Sequence, residues 1–346
     1  MQELLFLAHL YFDFSIQKWE SFVLGHSNLN VLFEQDIFAR RTLRSPFPKN
    51  GGEARARAEH LRNYYDRAIH YLDPDYPEAL EKLGPSRPAV VYLRGPNPPP
   101  ESELIAIVGT RKPSAFGVTN AEAFAKHISA RGYGVVSGLA LGVDAIAHRN
   151  ALPKYSLAIL GAGFDSIYPR ENEDLAEEIV LNGGTLLSQF PPEQVPLPIN
   201  FPRRNSLIAA LSAGVVVIEG SEKSGANITG KLALEMGSTV IPLLQDYRNS
   251  GGRGAIQLLE LGATPVRHIE EALAAIAVRF GGWMPQSDAR QANLFPQAEF
   301  RLIDYQKKSG LSLGAAIASL EAGVLSGQYE RLPGAWYRRK ARLHER

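Results

Sequence analysis

Leu104-Ile105-Ala106-Ile107-Val108-Gly109-Thr110-Arg111 is the stretch that decides the fold. Five apolar residues run without a polar interruption, and a glycine, a hydroxyl and a guanidinium follow. A strand with one wet face alternates in polarity, whereas a strand covered on both faces reads as a continuous apolar run. The unit recurs along the chain. Apolar runs at 135–136, 157–160, 185–187, 215–218 and 239–243 alternate with helical patterns near 118–130, 143–151, 175–181, 206–211, 228–236 and 255–261. The rhythm predicts a parallel sheet with helices on both faces. Right-handed crossovers then place the strand C-terminal ends on one edge, where ligands of such sheets bind.

Those ends share a chemistry. Gly109-Thr110-Arg111 follows the first strand, Ser137-Gly138 the second and Gly161-Ala162-Gly163 the third. Phe201-Pro202-Arg203-Arg204-Asn205 comes after the fourth, beyond a proline-rich loop, and Glu219-Gly220 with Ser224-Gly225-Ala226-Asn227-Ile228-Thr229 after the fifth. Small residues let backbone N–H groups approach a ligand, and hydroxyls and arginines add donors. Pro202 suits the first position of a helix. Arg203 and Arg204 then fall at the helix's positive end, an unfavourable place for cations unless an anion joins them. Phe201 offers a ring on which a base can stack. The plainer reading is a proline-capped helix with solvated arginines and packing glycines. Five such turns on one edge weigh against it.

Three motifs fall short of their look-alikes. Gly161-Ala162-Gly163 opens a dinucleotide fingerprint, but Ser166 stands where a closing glycine belongs. Gly225 to Leu232 approaches a P-loop with Gly230-Lys231, yet Leu232 replaces the Mg²⁺-binding hydroxyl. Asp144 and His148 share a helix face four residues apart without a third metal ligand, and a structural Asp–His contact is expected. There is no catalytic triad order or carboxylate pair, and no catalytic residue is assigned. Glu219 is the best lone candidate for a general base, or equally an orienting acceptor.

The 346 residues allow two or three domains, 45% hydrophobic and 21% charged, with a net charge of +1. A polyanion surface must therefore come from local clustering. The absence of cysteine excludes disulfides, thiol nucleophiles and thiolate zinc sites. Residues 4–12 are apolar but lack a basic leader and cleavage site, so they read as a buried helix. No apolar run reaches membrane-span length, and a cytoplasmic protein is expected. Residues 1–84 read as a small helical domain, 85–282 as the α/β domain and 283–298 as a polar linker. From 299 to 346, helices at 300–307 and 313–321 precede a β-wing turning at Pro333-Gly334. Leu258, Leu259 and Leu261 are candidates for a dimer surface, although core packing explains them equally well.

Taken together, Ile105 to Arg111, Val136-Ser137-Gly138-Leu139-Ala140-Leu141-Gly142-Val143-Asp144 with Ala147-His148, Tyr168-Pro169, Phe201 to Asn205 and Ser224 to Thr229 resemble the DprA/Smf family of DNA-processing proteins. Order and spacing match over roughly 75–270. The resemblance implies an extended Rossmann domain, often with a helical (SAM-like) domain before it and a winged-helix domain after it. It further implies a protein that binds single-stranded DNA, displaces single-strand-binding protein and loads the RecA recombinase during natural transformation. Such proteins act as dimers and need no metal or nucleotide cofactor. Carried over by motif, the DNA site comprises Gly109, Arg111, Ser137, Gly138, Phe201, Arg203, Arg204, Asn205, Ser224 and Gly225. Ser206 departs from the family's further arginine, which Lys154 or Lys223 could replace, and Leu243-Leu244-Gln245 from its Pro-Gly turn. The competing reading is a nucleotide or phosphoribosyl hydrolase with Glu219 as base, although the Pro-Gly-Gly-x-Gly-Thr signature of such enzymes is lacking. A winged-helix regulator of duplex DNA is a third.

Overall fold

The computed structural model describes residues 2–13, 16–25, 39–43, 46–62, 67–99, 101–278 and 299–309, and beyond them 317, 320–321, 324, 329–332 and 336–339. In chain order the elements are α1 (Gln2–Tyr11), β1 (Phe12–Asp13), α2 (Ile16–Gly25), β2 (Ala39–Arg40), α3 (Gly51–Arg62), β3 (Arg67–His70) and β4 (Val90–Arg94). The α/β repeat follows: β5 (Leu104–Val108), α4 (Ala115–Ala130), β6 (Gly134–Ser137), α5 (Val143–Ala151), β7 (Ser156–Leu160), α6 (Glu173–Leu181), β8 (Thr185–Ser188), α7 (Asn200–Ala210), β9 (Gly214–Val217), α8 (Gly225–Glu235), β10 (Thr239–Pro242), α9 (Ser250–Glu260) and α10 (Ile269–Val278). Last come β11 (Glu299–Arg301), α11 (Leu302–Ser309), β12 (Tyr329–Leu332) and β13 (Trp336–Arg339).

Eight strands form one sheet in the order β10-β9-β5-β6-β7-β8-β4-β3. From β10 to β8 every neighbouring pair is parallel, and β4 and β3 then add antiparallel pairs. The chain winds outward from β5 through β6, β7 and β8, then returns to lay β9 and β10 on the other side of β5. The result is an α/β, Rossmann-like fold with its switch point between β5 and β9.

Both faces of the parallel strands β5 to β9 are dry, as their unbroken apolar runs predict. Leu104, Ala106 and Val108 of β5 pack with Leu207 and Ile208 of α7, Ala226 and Ala233 of α8 and Leu258 of α9. Ile105 and Ile107 point the other way, onto Phe124 and Ile128 of α4, Val143 of α5 and Ile276 of α10. Further along that second face, Val90, Tyr92, Ala158, Leu160 and Leu186 meet α1, with Leu5, Leu10 and Tyr11, and α6, with Leu175 and Ile179. Each fully buried Leu, Ile or Phe contributes about 1.5–3 kcal/mol.

The sheet starts earlier than the expected boundary near residue 84. Arg67–His70 forms its edge strand, and helix α1 lies against its face. His9 ties α1 to the sheet on one side and to Arg41 on the other. His9 Nδ1 lies 3.1 Å from the Tyr92 hydroxyl, Arg41 Nε donates to the His9 carbonyl at 2.9 Å, and the Arg41 guanidinium reaches His9 Nε2 at 3.1 Å. Burial and the Arg41 charge hold the His9 imidazole well below its usual pKa, so Nε2 accepts from Arg41 and Nδ1–H donates to Tyr92.

The C-terminal strands make a separate antiparallel sheet, β11-β13-β12, closed by Tyr305, Leu320 and Tyr337. Strands β12 and β13 pair where a wing was expected. The linker 283–298, the turn at Pro333-Gly334 and most of the helix expected at 313–321 lie outside the described residues.

Candidate nucleic-acid interface

The switch point between β5 and β9 is filled by the protein itself. Glu219, just past β9, accepts hydrogen bonds from both the backbone N–H and the hydroxyl of Ser114, each at 3.0 Å. Ser114 is the N-cap of α4, and its hydroxyl accepts from the Gly117 N–H at 3.2 Å. The carboxylate thus neutralises the positive end of α4, where an incoming phosphate would otherwise bind. Glu219, the base of the competing hydrolase reading, is held as part of a helix cap.

A pocket opens instead over the ends of β5, β6 and β7, beneath the start of α7. Arg111, Gly138, Ala140, Leu141, Tyr168, Pro169, Phe201 and Arg204 line it. The Phe201 and Tyr168 ring centroids are 5.5 Å apart, tilted by 57°. The guanidinium carbons of Arg111 and Arg204 each lie 5.9 Å from the Phe201 centroid, within cation–π range. Gly161 makes room for the ring, because a Cβ there would sit 2.7 Å from Phe201 Cδ1.

Helix α7 begins at Asn200, two residues before the expected start, with Ile199 as N-cap. Pro202 still lies in the first turn, where no N–H is needed. Consecutive helical residues diverge by about 100°, so Arg203 and Arg204 face different surroundings. Arg203 is half-exposed and its Nη1 donates to Asp13 Oδ2 of β1 at 2.6 Å.

Arg204 differs from the expectation of a solvent-facing phosphate ligand. It is 5% exposed. Its Nη1 donates to the carbonyls of Gly138 and Ile159, and its Nε to Asn205 Oδ1. It ties the ends of β6 and β7 to α7 and presents only its edge to the pocket. Burial lowers its pKa to about 10, opposed by the charge of Asp144, and it stays cationic at neutral pH. Asp144 is buried in turn, which raises its pKa. The Arg204 charge and hydrogen bonds from the Ala140 and Gly138 N–H groups oppose that rise.

Asp144 shapes the loop that floors the pocket. Its Oδ2 accepts from the N–H groups of Gly138 at 3.1 Å and Ala140 at 3.4 Å. Between them Leu139 adopts φ +55°, a left-handed conformation that costs a non-glycine residue about 1–2 kcal/mol. The Asp144 carboxylate and Asn172, which donates to the Leu139 carbonyl at 2.9 Å, hold it there. The expectation of bare amides at this turn therefore fails for Gly138, whose N–H and carbonyl are both engaged.

Other expected site residues serve the scaffold. Ser137 is fully buried and donates to the Ile107 carbonyl at 2.6 Å. Gly109 lets α5 approach, since its Cβ would meet Val143 Cγ2 at 2.5 Å. Asn205 is buried and donates to the Gly225 carbonyl at 3.3 Å, tying α7 to α8. Ser224 caps α8 by accepting from the Asn227 N–H at 3.1 Å. Ser224 and Gly225 lie beyond the pocket lining. Asp144 and His148 make no hydrogen bond to each other. His148 Nδ1 lies 2.7 Å from Ser156 Oγ, and burial with the Arg204 charge lowers its pKa to about 3. Leu258 is fully buried and packs against Gly230, so it cannot face a partner. Leu261 alone of the three leucines is exposed.

Sequence reasoning missed Ala140, Leu141, Tyr168 and Pro169 as pocket residues. Tyr168-Pro169 was visible as a motif, but its aim toward Phe201 depends on the fold of the loop between them. Leu141 and Tyr168 are 38% and 45% exposed, so the pocket mouth is apolar and aromatic with guanidinium groups at its rim.

The buried histidines give a pH prediction. Unfolded imidazoles take a proton near pH 6.5, whereas folded His148 resists it down to about 3 and His9 also lies well below its usual value. Between those limits the unfolded state binds more protons, so native stability falls as pH drops below about 6.5. Urea melts at pH 7.5 and 5.0 should show a lower midpoint at pH 5.0. The His148→Gln variant, which has no proton to gain there, should lose less between the two.

Fold and pocket define a class: a doubly wound α/β protein whose strand-end pocket carries arginines and a tilted ring pair, the surface features of a polyanion-binding protein. Comparison with known proteins makes the assignment. Residues 67–277 match the family of DNA recombination-mediator protein A, and the chain belongs to that family of DNA-processing proteins. It is 34% identical over 261 residues to Protein Smf of Escherichia coli (strain K12), covering 70% of this chain and 69% of the relative. It is 38% identical over 169 residues to DNA processing protein DprA of Bacillus subtilis (strain 168), covering 48% of this chain and 57% of the relative. Among solved structures, DNA processing protein A from Streptococcus pneumoniae superposes with a TM-score of 0.58 at 27% identity, covering 75% of this chain and 90% of that one. DNA processing protein A from Helicobacter pylori, described for its single-stranded DNA binding mode, gives a TM-score of 0.54 at 29% identity, covering 63% and 97%. No helix among the described residues is long and apolar enough to cross a membrane.

Proposed function

We propose that the chain binds single-stranded DNA along this rim, protects incoming strands and loads the RecA recombinase onto them during natural transformation. Arg111 and Arg203 neutralise phosphates, the Tyr168–Phe201 pair stacks a base, and Arg204 and Asp144 hold the floor beneath. The observation that carries this reading is the pocket itself, with two rings and an exposed guanidinium at the ends of β5 to β7. The Helicobacter pylori relative, a single-stranded DNA binder by its description, supports it. Stacking accepts any base, so the proposed binding has little sequence preference. A binding role is assigned rather than a catalytic one, because Glu219 is engaged in capping α4. The cellular setting is a cytoplasmic homodimer that works with RecA and single-strand-binding protein, and the C-terminal strands with α11 form a winged-helix-like module. Gel shifts with oligo-dT and with duplex of equal length, at two salt concentrations, test the reading. Oligo-dT should bind more tightly, and both affinities should fall with salt. Preference for duplex would reject the proposal.

A further inference from the structure

Arg203 is the half-exposed arginine of α7, next in the chain to the pocket-lining Arg204 and itself outside that lining, and its guanidinium is already occupied by a carboxylate. Asp13 Oδ2 accepts from Arg203 Nη1 at 2.6 Å, and the two side chains are 35% and 48% exposed. Asp13 belongs to β1, which pairs with β2, and so reaches α7 from the N-terminal layer rather than from the α/β repeat. Behind it stands Arg41, 3.7 Å from Asp13 Oδ1 and itself clamped on His9. The carboxylate is thus held between a buried arginine that cannot move away and a half-exposed one that can.

We propose that Asp13 is an internal stand-in for a DNA phosphate, which occupies Arg203 until a strand displaces it. The inference rests on the single-stranded DNA reading above. A tethered carboxylate competes at an effective concentration in the millimolar range or higher. The single phosphate of a mononucleotide loses that competition. A strand already anchored at Arg111 and Phe201 presents its next phosphate to Arg203 intramolecularly, and so competes on equal terms. Asp13 therefore sets the ligand class: an extended polyanion is admitted and isolated nucleotides are refused. When the exchange occurs, Asp13 keeps Arg41 as its partner, and the contact between β1 and α7 opens.

The test measures fluorescence-anisotropy binding of labelled oligo-dT to the full chain carrying Asp13→Asn, Arg203→Ala, both together, or Arg111→Ala. Asp13→Asn should bind roughly two- to five-fold more tightly than the parent at low salt, the span an exposed ion pair corresponds to. That gain should shrink as salt rises, because the exposed Asp13–Arg203 pair that the parent must break is itself screened by salt. In the Arg203→Ala background the same change should have no effect, because the two residues act as one pair. An equal gain with and without Arg203 overturns the proposal, as does no gain at all. Loss of binding in Arg111→Ala alongside either result leaves the rim reading standing. Unchanged binding in both arginine variants would remove that reading itself. Hydrogen exchange on the unaltered protein covers the case in which Asp13→Asn loosens Arg41. Saturating oligo-dT should speed exchange at Phe12 and Asp13, and slower or unchanged exchange there contradicts the displacement.

Discussion

Replacing Arg204 with alanine should cost about 3–5 kcal/mol of folding stability, the typical penalty for removing one partner of a buried charge cluster. Three acceptors lose their donor: the carbonyls of Gly138 and Ile159 and the Asn205 side chain. The Asp144 carboxylate loses the buried positive charge that opposes its desolvation. The Leu139 turn, held in a left-handed conformation by Asp144, then has less to hold it. A domain is stable by only about 5–15 kcal/mol, so much of the margin would go. Arg204→Lys should recover part of it, since lysine keeps the charge but not the planar fork that spans two carbonyls. Urea unfolding followed by circular dichroism reads the loss. A variant that melts like the parent and fails only in DNA binding would make Arg204 a direct phosphate ligand and refute the buried-brace assignment.

Phe201→Ala should weaken oligo-dT binding by about 5- to 150-fold, from the 1–3 kcal/mol that a stacked base contributes. The change empties the centre of the pocket, since Tyr168, Arg111 and Arg204 all pack on that ring. Its signature differs from that of a lost phosphate contact. Phe201→Ala should lower affinity while leaving the salt slope unchanged. Arg111→Ala should lower affinity and flatten the slope by about 0.7. Anisotropy titrations at three salt concentrations separate the two. Equal slopes in both variants would mean that the ring and the guanidinium do not divide the work in this way.

The parallel core was legible because strands buried on both faces leave unbroken apolar runs, and β5 was read to the residue. The edge strand Arg67–His70 was not legible, since only Ile69 of its four residues is buried and one apolar position makes no pattern. Helix α10, Ile269–Val278, was passed over too, although it supplies Leu273 and Ile276 to the core. At the rim the sequence located the right strand ends but could not say which way each side chain turns. Ser137 and Gly138 are adjacent, yet one bonds inward to β5 and the other floors the pocket. Arg203 and Arg204 are adjacent, and the roughly 100° between consecutive helical positions sends one outward and buries the other. The Asp13–Arg203 contact joins residues 190 positions apart, a separation that no local pattern records.

The central claim is that an unpaired strand lies across the Tyr168–Phe201 pocket. Photocrosslinking with oligo-dT carrying 5-iododeoxyuridine, followed by mass-spectrometric mapping of the adducts, tests it directly. Adducts on Tyr168 or Phe201, lost on competition with unlabelled oligo-dT, are the predicted result. Adducts confined to the N-terminal helices or to the C-terminal strands, with that pocket untouched, would contradict it.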